Sequence, residues 1–123
     1  MAFIMVVDDD ADVRDLIETT LRMDGHEVNC ASGGSQALTA MREQQPDLLV
    51  TDQMMPGMTG LELVRAMRED HAIGDVPIIL LTGTEKHRDL YVVDRWLEKP
   101  FSPARLRSHV QALLRRTGVE PSA

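Results

Sequence analysis

Short apolar runs alternate along this chain with longer stretches in which apolar residues recur at helical spacing. Phe3–Val7 is apolar, contains three β-branched residues and stops abruptly at Asp8-Asp9-Asp10, which predicts a buried strand. Val13, Leu16, Ile17 and Leu21 follow at helical spacing, with Asp10 or Asp12 near the start and Gly25 just past the end, the signals of a capped helix with one apolar stripe. The pattern then repeats. Glu27–Ala31 reads as a second strand, and Ser32-Gly33-Gly34 leads into a helix carrying Ala37, Leu38 and Met41.

Pro46 precedes a third predicted strand, Asp47–Thr51, which again ends on an acid, Asp52. Pro56 through Gly60 form a turn-rich loop, and Leu61, Val64 and Met67 mark a third helix. Pro77–Leu81 predicts a fourth buried strand ending at Thr82-Gly83, and Arg95–Glu98 a fifth ending at Lys99-Pro100. Ser102 or Pro103 opens a last helix with the stripe Leu106, Val110, Leu113 and Leu114, and residues 118–123 read as a flexible tail.

Strands alternating with helices imply an α/β fold, a doubly wound parallel sheet with right-handed crossovers and helices on both faces. No linker, repeat or second core interrupts it, so residues 1–117 read as a single domain. In such sheets the binding crevice lies beyond the carboxyl ends of the strands. That rule gathers Asp8, Asp9, Asp52, Thr82, Gly83 and Lys99 at one rim.

Composition narrows the class. The 123 residues are 43% hydrophobic and 27% charged, the balance of an ordinary globular domain. One cysteine, Cys30, excludes an internal disulfide and suits a reducing compartment; as a strand residue it reads as a small buried hydrophobe and not as a reactive thiol. The apolar runs are too short to span a bilayer, and Met1–Asp10 turns acidic where a secretion signal needs its apolar stretch. The expected location is cytoplasmic. A net charge of −7 argues against a nucleic-acid surface, and Arg105, Arg107, Arg115 and Arg116 on the last helix read as a solvated face.

Three carboxylates at one rim need compensation. Two unit charges about 4 Å apart repel by roughly 4 kcal/mol at an effective dielectric near 20, and one Lys99 does not cancel three acids. All-oxygen ligands suit Mg²⁺, with Mn²⁺ as a substitute. His26, His71, His87 and His109 lack zinc-ligand spacing. An Asp carboxylate beside such a cation is a competent nucleophile for forming an aspartyl phosphate. Lys99 would add charge, the Thr82 hydroxyl a hydrogen bond, and Gly83 room for the incoming group. Any one of these acids taken singly would read as a solvated loop residue; the set at the matching strand ends carries the argument.

The motifs Met5-Val-Val-Asp-Asp9, Asp47-Leu-Leu-Val-Thr-Asp52-Gln-Met-Met-Pro-Gly-Met-Thr-Gly-Leu-Glu-Leu63, Pro77-Ile-Ile-Leu-Leu-Thr82-Gly83 and Trp96-Leu-Glu-Lys99-Pro100-Phe101 together resemble the response-regulator receiver domain of two-component signalling, chemotaxis-regulator-like, over nearly the whole chain. The resemblance implies a flavodoxin-like sheet of order 2-1-3-4-5. It implies Asp52 as phosphoacceptor from a histidine kinase or histidine phosphotransfer protein. Asp9, Asp52 and the backbone carbonyl of Met54 would bind Mg²⁺, with Asp8 acting through water. Lys99 and Thr82 would meet the phosphoryl oxygens, and the Lys99–Pro100 bond would be cis.

Two departures stand out. The stretch from Thr82 to Lys99 is roughly five residues shorter than the family's usual connection, so Gly83–Asp94 holds a short or irregular helix. Trp96 occupies the place where the family carries a smaller switch aromatic; it is either a moving switch or a strand aromatic packed on the last helix. Met54, Met55 and Met58 read as loop and core fillers or as a soft partner surface. The expected function is a stand-alone phosphoacceptor switch or relay with an unknown downstream protein partner, and not an enzyme beyond its own phosphorylation and dephosphorylation. A constitutive interaction module is the alternative. A Mg²⁺-dependent phosphohydrolase is weaker, because Gln53 and Met54 follow Asp52 where a proton-donating acid is wanted.

Overall fold

The computed structural model describes residues 1–83 and 92–118. Five strands and four helices alternate along it: β1 (Phe3–Val7), α1 (Ala11–Met23), β2 (Glu27–Ala31), α2 (Gly34–Glu43), β3 (Leu48–Asp52), α3 (Gly60–Arg68), β4 (Ile78–Thr82), β5 (Arg95–Glu98) and α4 (Pro103–Thr117). All strand pairs are parallel, and the sheet order is β2-β1-β3-β4-β5. This is the doubly wound, flavodoxin-like arrangement that the sequence predicts. β3 and β4 each begin and end one residue later than their hydrophobic runs suggest, so Asp52 and Thr82 are the last residues of their strands.

The three central strands, β1, β3 and β4, are almost wholly buried because helices cover both faces. On one face, Met5, Val7, Leu49, Ile78 and Leu80 pack against Ala37 and Met41 of α2 and Leu63, Val64 and Met67 of α3. On the other, Ile4, Val6, Val50, Ile79 and Leu81 pack against Ile17 and Leu21 of α1 and Leu106, Val110, Leu113 and Leu114 of α4. Alternate residues of one strand thus serve opposite cores, as the two-residue period of a strand requires.

Helix ends follow the capping signals. Asp10 is the N-cap of α1 and accepts from Asp12 N and Val13 N. Thr59 and Glu62 form a capping box on α3. Ser102 caps α4, whose first position is Pro103, and Gly118 ends it in the left-handed region at φ 80°. One apolar residue departs from its expected stripe: Leu16 is 44% exposed. It lines a surface pocket with Val13, Lys99, Pro100 and Phe101. The short or irregular helix expected within Gly83–Asp94 falls mostly on 84–91, outside the described residues, as does the tail beyond Gly118.

Candidate phosphoacceptor and metal site

The site follows from strand register. Val7 lies opposite both Ala31 and Thr51, and Asp52 opposite Leu81. Asp8 and Asp52 therefore leave neighbouring strands at the same level. Thr82 pairs with Glu98, so Lys99 comes off β5 beside them, and its backbone N–H donates to the Thr82 carbonyl at 2.7 Å. Because the strands are parallel, all these termini share one rim.

Carboxylate oxygens of Asp8, Asp9 and Asp52 lie within 4.8 Å of one another. The Lys99 ammonium bridges two of them, at 3.1 Å from Asp8 Oδ2 and 3.1 Å from Asp52 Oδ1. Asp8 is fully buried; its Oδ1 accepts from Asp10 N at 2.9 Å, and its N–H donates to Ala31 O at 3.2 Å. Asp9 is exposed, while Asp52 and Thr82 are 6% and 4% exposed. Gly83 follows Thr82 at the end of β4. The Lys99–Pro100 peptide bond is cis.

Burial pushes the Asp52 carboxyl above its ordinary value, and the Asp8 charge adds to this, against the pull of Lys99. Burial also works against the Lys99 charge, but Asp8 and Asp52 outweigh it and hold the ammonium above its usual range. Three acids against one ammonium leave a local excess of negative charge. A small, hard divalent cation fits this all-oxygen donor set, and no histidine or cysteine joins the cluster among the described residues.

The three methionines after Asp52 divide. Met55 is buried in the α2–α3 core, Met58 packs against it, and Met54 is 63% exposed. Trp96 is 53% exposed on β5, lining a cleft with Asp94, Arg95 and His109. Cys30 is only half-buried, and burial together with Glu18 pushes its thiol up to about 11, so it is not a thiolate at neutral pH. Of the basic residues on α4, Arg107 pairs with Asp24 at 2.9 Å, and Arg116 lies 3.9 Å from Asp94.

Three residues at the rim were not evident from the sequence. Arg14, one turn into α1, donates from Nη1 to the Asp8 carbonyl at 2.8 Å. Gln53 is buried and bonds to the start of α3. Gly60 brings that helix against β3: a Cβ there would lie 2.4 Å from Asp52 O. A polar residue directly after β3 is the only sequence signal for Gln53; Arg14 had none.

Among the described residues, no helix is long and apolar enough to cross a membrane. Residues 4–111 match the family model of the response regulator receiver domain. The chain is 40% identical to the DNA-binding response regulator MtrA of Mycobacterium tuberculosis, over 97% of this chain and 53% of that protein. It is 42% identical to the phosphate regulon transcriptional regulatory protein PhoB of Pseudomonas aeruginosa, over 94% of this chain and 52% of that one. The chain thus spans about half the length of these curated relatives. Its structure is similar to the chemotaxis response regulator CheY4 of Vibrio cholerae, with TM-score 0.85 and 34% identity over 93% of this chain and 99% of that one. It is similar also to the signal receiver domain of a signal transduction histidine kinase from Syntrophus aciditrophicus, with TM-score 0.88 and 26% identity over 100% of this chain and 97% of that one. With the sheet order, the acid rim and a family match over most of its length, the chain belongs to the response regulator receiver domain family.

Proposed function

We propose that residues 1–117 act in the cytoplasm as one phosphoacceptor unit, in which Asp52 takes a phosphoryl group from a phosphohistidine of a kinase or phosphotransfer protein. The observation that carries this reading is the convergence of Asp8, Asp9 and Asp52 around the Lys99 ammonium. One Asp52 carboxylate oxygen attacks phosphorus, the P–N bond of the donor breaks, and the leaving imidazole nitrogen keeps the electron pair and takes a proton. Asp9, Asp52 and the Met54 carbonyl would hold Mg²⁺, and Asp8 would hold one of its waters. Bound there, the cation would neutralise charge on the phosphoryl oxygens.

The chain's own groups do the rest. Lys99 contacts Asp52 at 3.1 Å, so transfer would shift its ammonium toward a phosphoryl oxygen. The buried Thr82 would donate its hydroxyl to another. Trp96, already half exposed, and the surface around it would report the change to a protein partner. A hydrolytic role has little support: Gln53 is engaged with α3, and Met54 brings no acid.

Intact mass after incubation with Mg²⁺ and a small phosphodonor tests this. One metal-dependent adduct is expected, acid-stable and base-labile, and absent in Asp52→Asn. Rapid multiple turnover of phosphate esters would point to a hydrolase. No adduct from any donor, with partner binding intact, would identify a phosphorylation-independent interaction module.

A further inference from the structure

The first amides of a helix have no acceptor within it. In α3 three of them are satisfied from outside: Gly60 N donates to the Gln53 carbonyl at 3.0 Å, Leu61 N to Gln53 Oε1 at 2.8 Å, and Glu62 N to Thr59 Oγ1 at 3.1 Å. Two of the three acceptors belong to Gln53. Its own N–H donates to the Leu81 carbonyl at 3.0 Å, and the residue is 6% exposed. One residue therefore ties β3 to β4 on one side and to the α3 N-terminus on the other, immediately after Asp52.

Met54 comes next, with a side chain 63% exposed and so without packing to fix it. The position of its carbonyl depends on the residues that flank it, Gln53 and the buried Met55. A glutamine amide at this point is costly to bury unless it is paired, and the partner it has closes the loop between residues 53 and 61. Gly60 permits the approach, since any Cβ there would also meet Gln53 Cα at 3.0 Å.

We infer that Gln53 is a positioning residue whose side chain, locked to the α3 N-terminus, sets where the Met54 carbonyl stands relative to Asp9 and Asp52. The inference rests on the proposed metal site. Gln53 touches neither metal nor phosphoryl group; it acts through the loop it holds.

The test compares Gln53→Met, which keeps length and loses the acceptor, with Gln53→Glu, which keeps an acceptor oxygen, and Thr59→Ala, which removes the other side-chain acceptor at the α3 N-terminus but not the one from Gln53. Mg²⁺ affinity is read by calorimetry, and Leu61 amide exchange by NMR in metal-free protein. Gln53→Met is expected to weaken Mg²⁺ binding about tenfold and to speed Leu61 exchange. Gln53→Glu, which keeps the acceptor and adds a negative charge beside the acids, should bind Mg²⁺ at least as tightly as wild type, and Thr59→Ala should lose stability with affinity unchanged. If Gln53→Met does not fold, Gln53→Ala takes its place. Wild-type Mg²⁺ affinity in the folded Gln53 variant overturns the inference, as does an equal affinity loss in Thr59→Ala. If the wild-type protein takes up no Mg²⁺ that Asp52→Asn abolishes, the metal reading itself fails and this inference falls with it.

Discussion

The Arg68 guanidinium meets the Asp94 carboxylate at 3.2 Å, joining the end of α3 to the residue that leads into β5. Arg68 donates also to the carbonyls of Gly74, Val76 and Val92, and Asp94 accepts from Ile78 N at 2.7 Å. One ion pair therefore organises both the entry to β4 and the re-entry of the chain after residues 84–91.

Arg68→Met keeps much of the stem but strands those carbonyls and the Asp94 charge. The expected loss is about 2 kcal/mol, measured as a drop in the urea midpoint at unchanged m-value. A change below about 0.5 kcal/mol would show that water replaces the guanidinium without cost.

Gly60→Ala places a methyl group 2.4 Å from the Asp52 carbonyl and 2.8 Å from Leu80 Cδ1. Backbone on one side and core on the other leave it nowhere to go. Destabilisation of about 1–3 kcal/mol is expected, and the phosphoryl adduct on Asp52 should form more slowly even at temperatures where the variant is folded. Native stability with native labelling would contradict the contact.

Lys99→Met leaves fully buried Asp8 without its cation. Lys99 is itself partly exposed, so the expected cost is about 2 kcal/mol, below that of breaking a fully buried pair. If Mg²⁺ binds the same acids, as proposed, it should recover part of the loss. In wild-type protein, Mg²⁺ at about a hundred times its dissociation constant should add about 2.7 kcal/mol. Thermal melts with and without the metal check both statements; a melt of the variant indifferent to Mg²⁺ would contradict the shared site.

His26 is buried, and its Nδ1 accepts from Ala2 N at 3.2 Å. Burial holds its pKa below the ordinary value of 6.5, against the opposite pull of Asp24. Its folded pKa is the lower one, so the unfolded chain binds the proton first. The stability due to neutral His26 is full above about pH 6.5 and falls as the pH drops through that value toward the folded pKa. Urea midpoints from pH 7.5 to 5 should decline more steeply for the wild type than for His26→Gln. Parallel curves would assign the acid sensitivity to other groups.

Much of the architecture was legible from the residues. Strand runs such as Phe3–Val7, ending on acids, and the helix starts near Asp10 and Ser102 are local signals, readable because a strand or a helix end is specified by its neighbours in sequence; Gly118, read as tail, instead closes α4. Leu16 was misread for the converse reason: helical spacing places a residue on a stripe but does not say where the stripe meets its neighbour. Residue types were likewise enough to assemble the candidates Asp8, Asp9, Asp52, Thr82 and Lys99 at one rim, since parallel strands put their carboxyl ends together.

The tertiary structure decided what depends on distance and register. That Lys99 reaches both Asp8 and Asp52 follows from β5 lying beside β4 with Thr82 opposite Glu98, a pairing across separate segments that no local pattern encodes. That Arg14 holds the Asp8 carbonyl, that Arg68 and Asp94 tie α3 to β5, and that Gln53 turns inward to α3 are likewise outcomes of packing. A polar side chain is silent in sequence until burial makes its hydrogen bond obligatory.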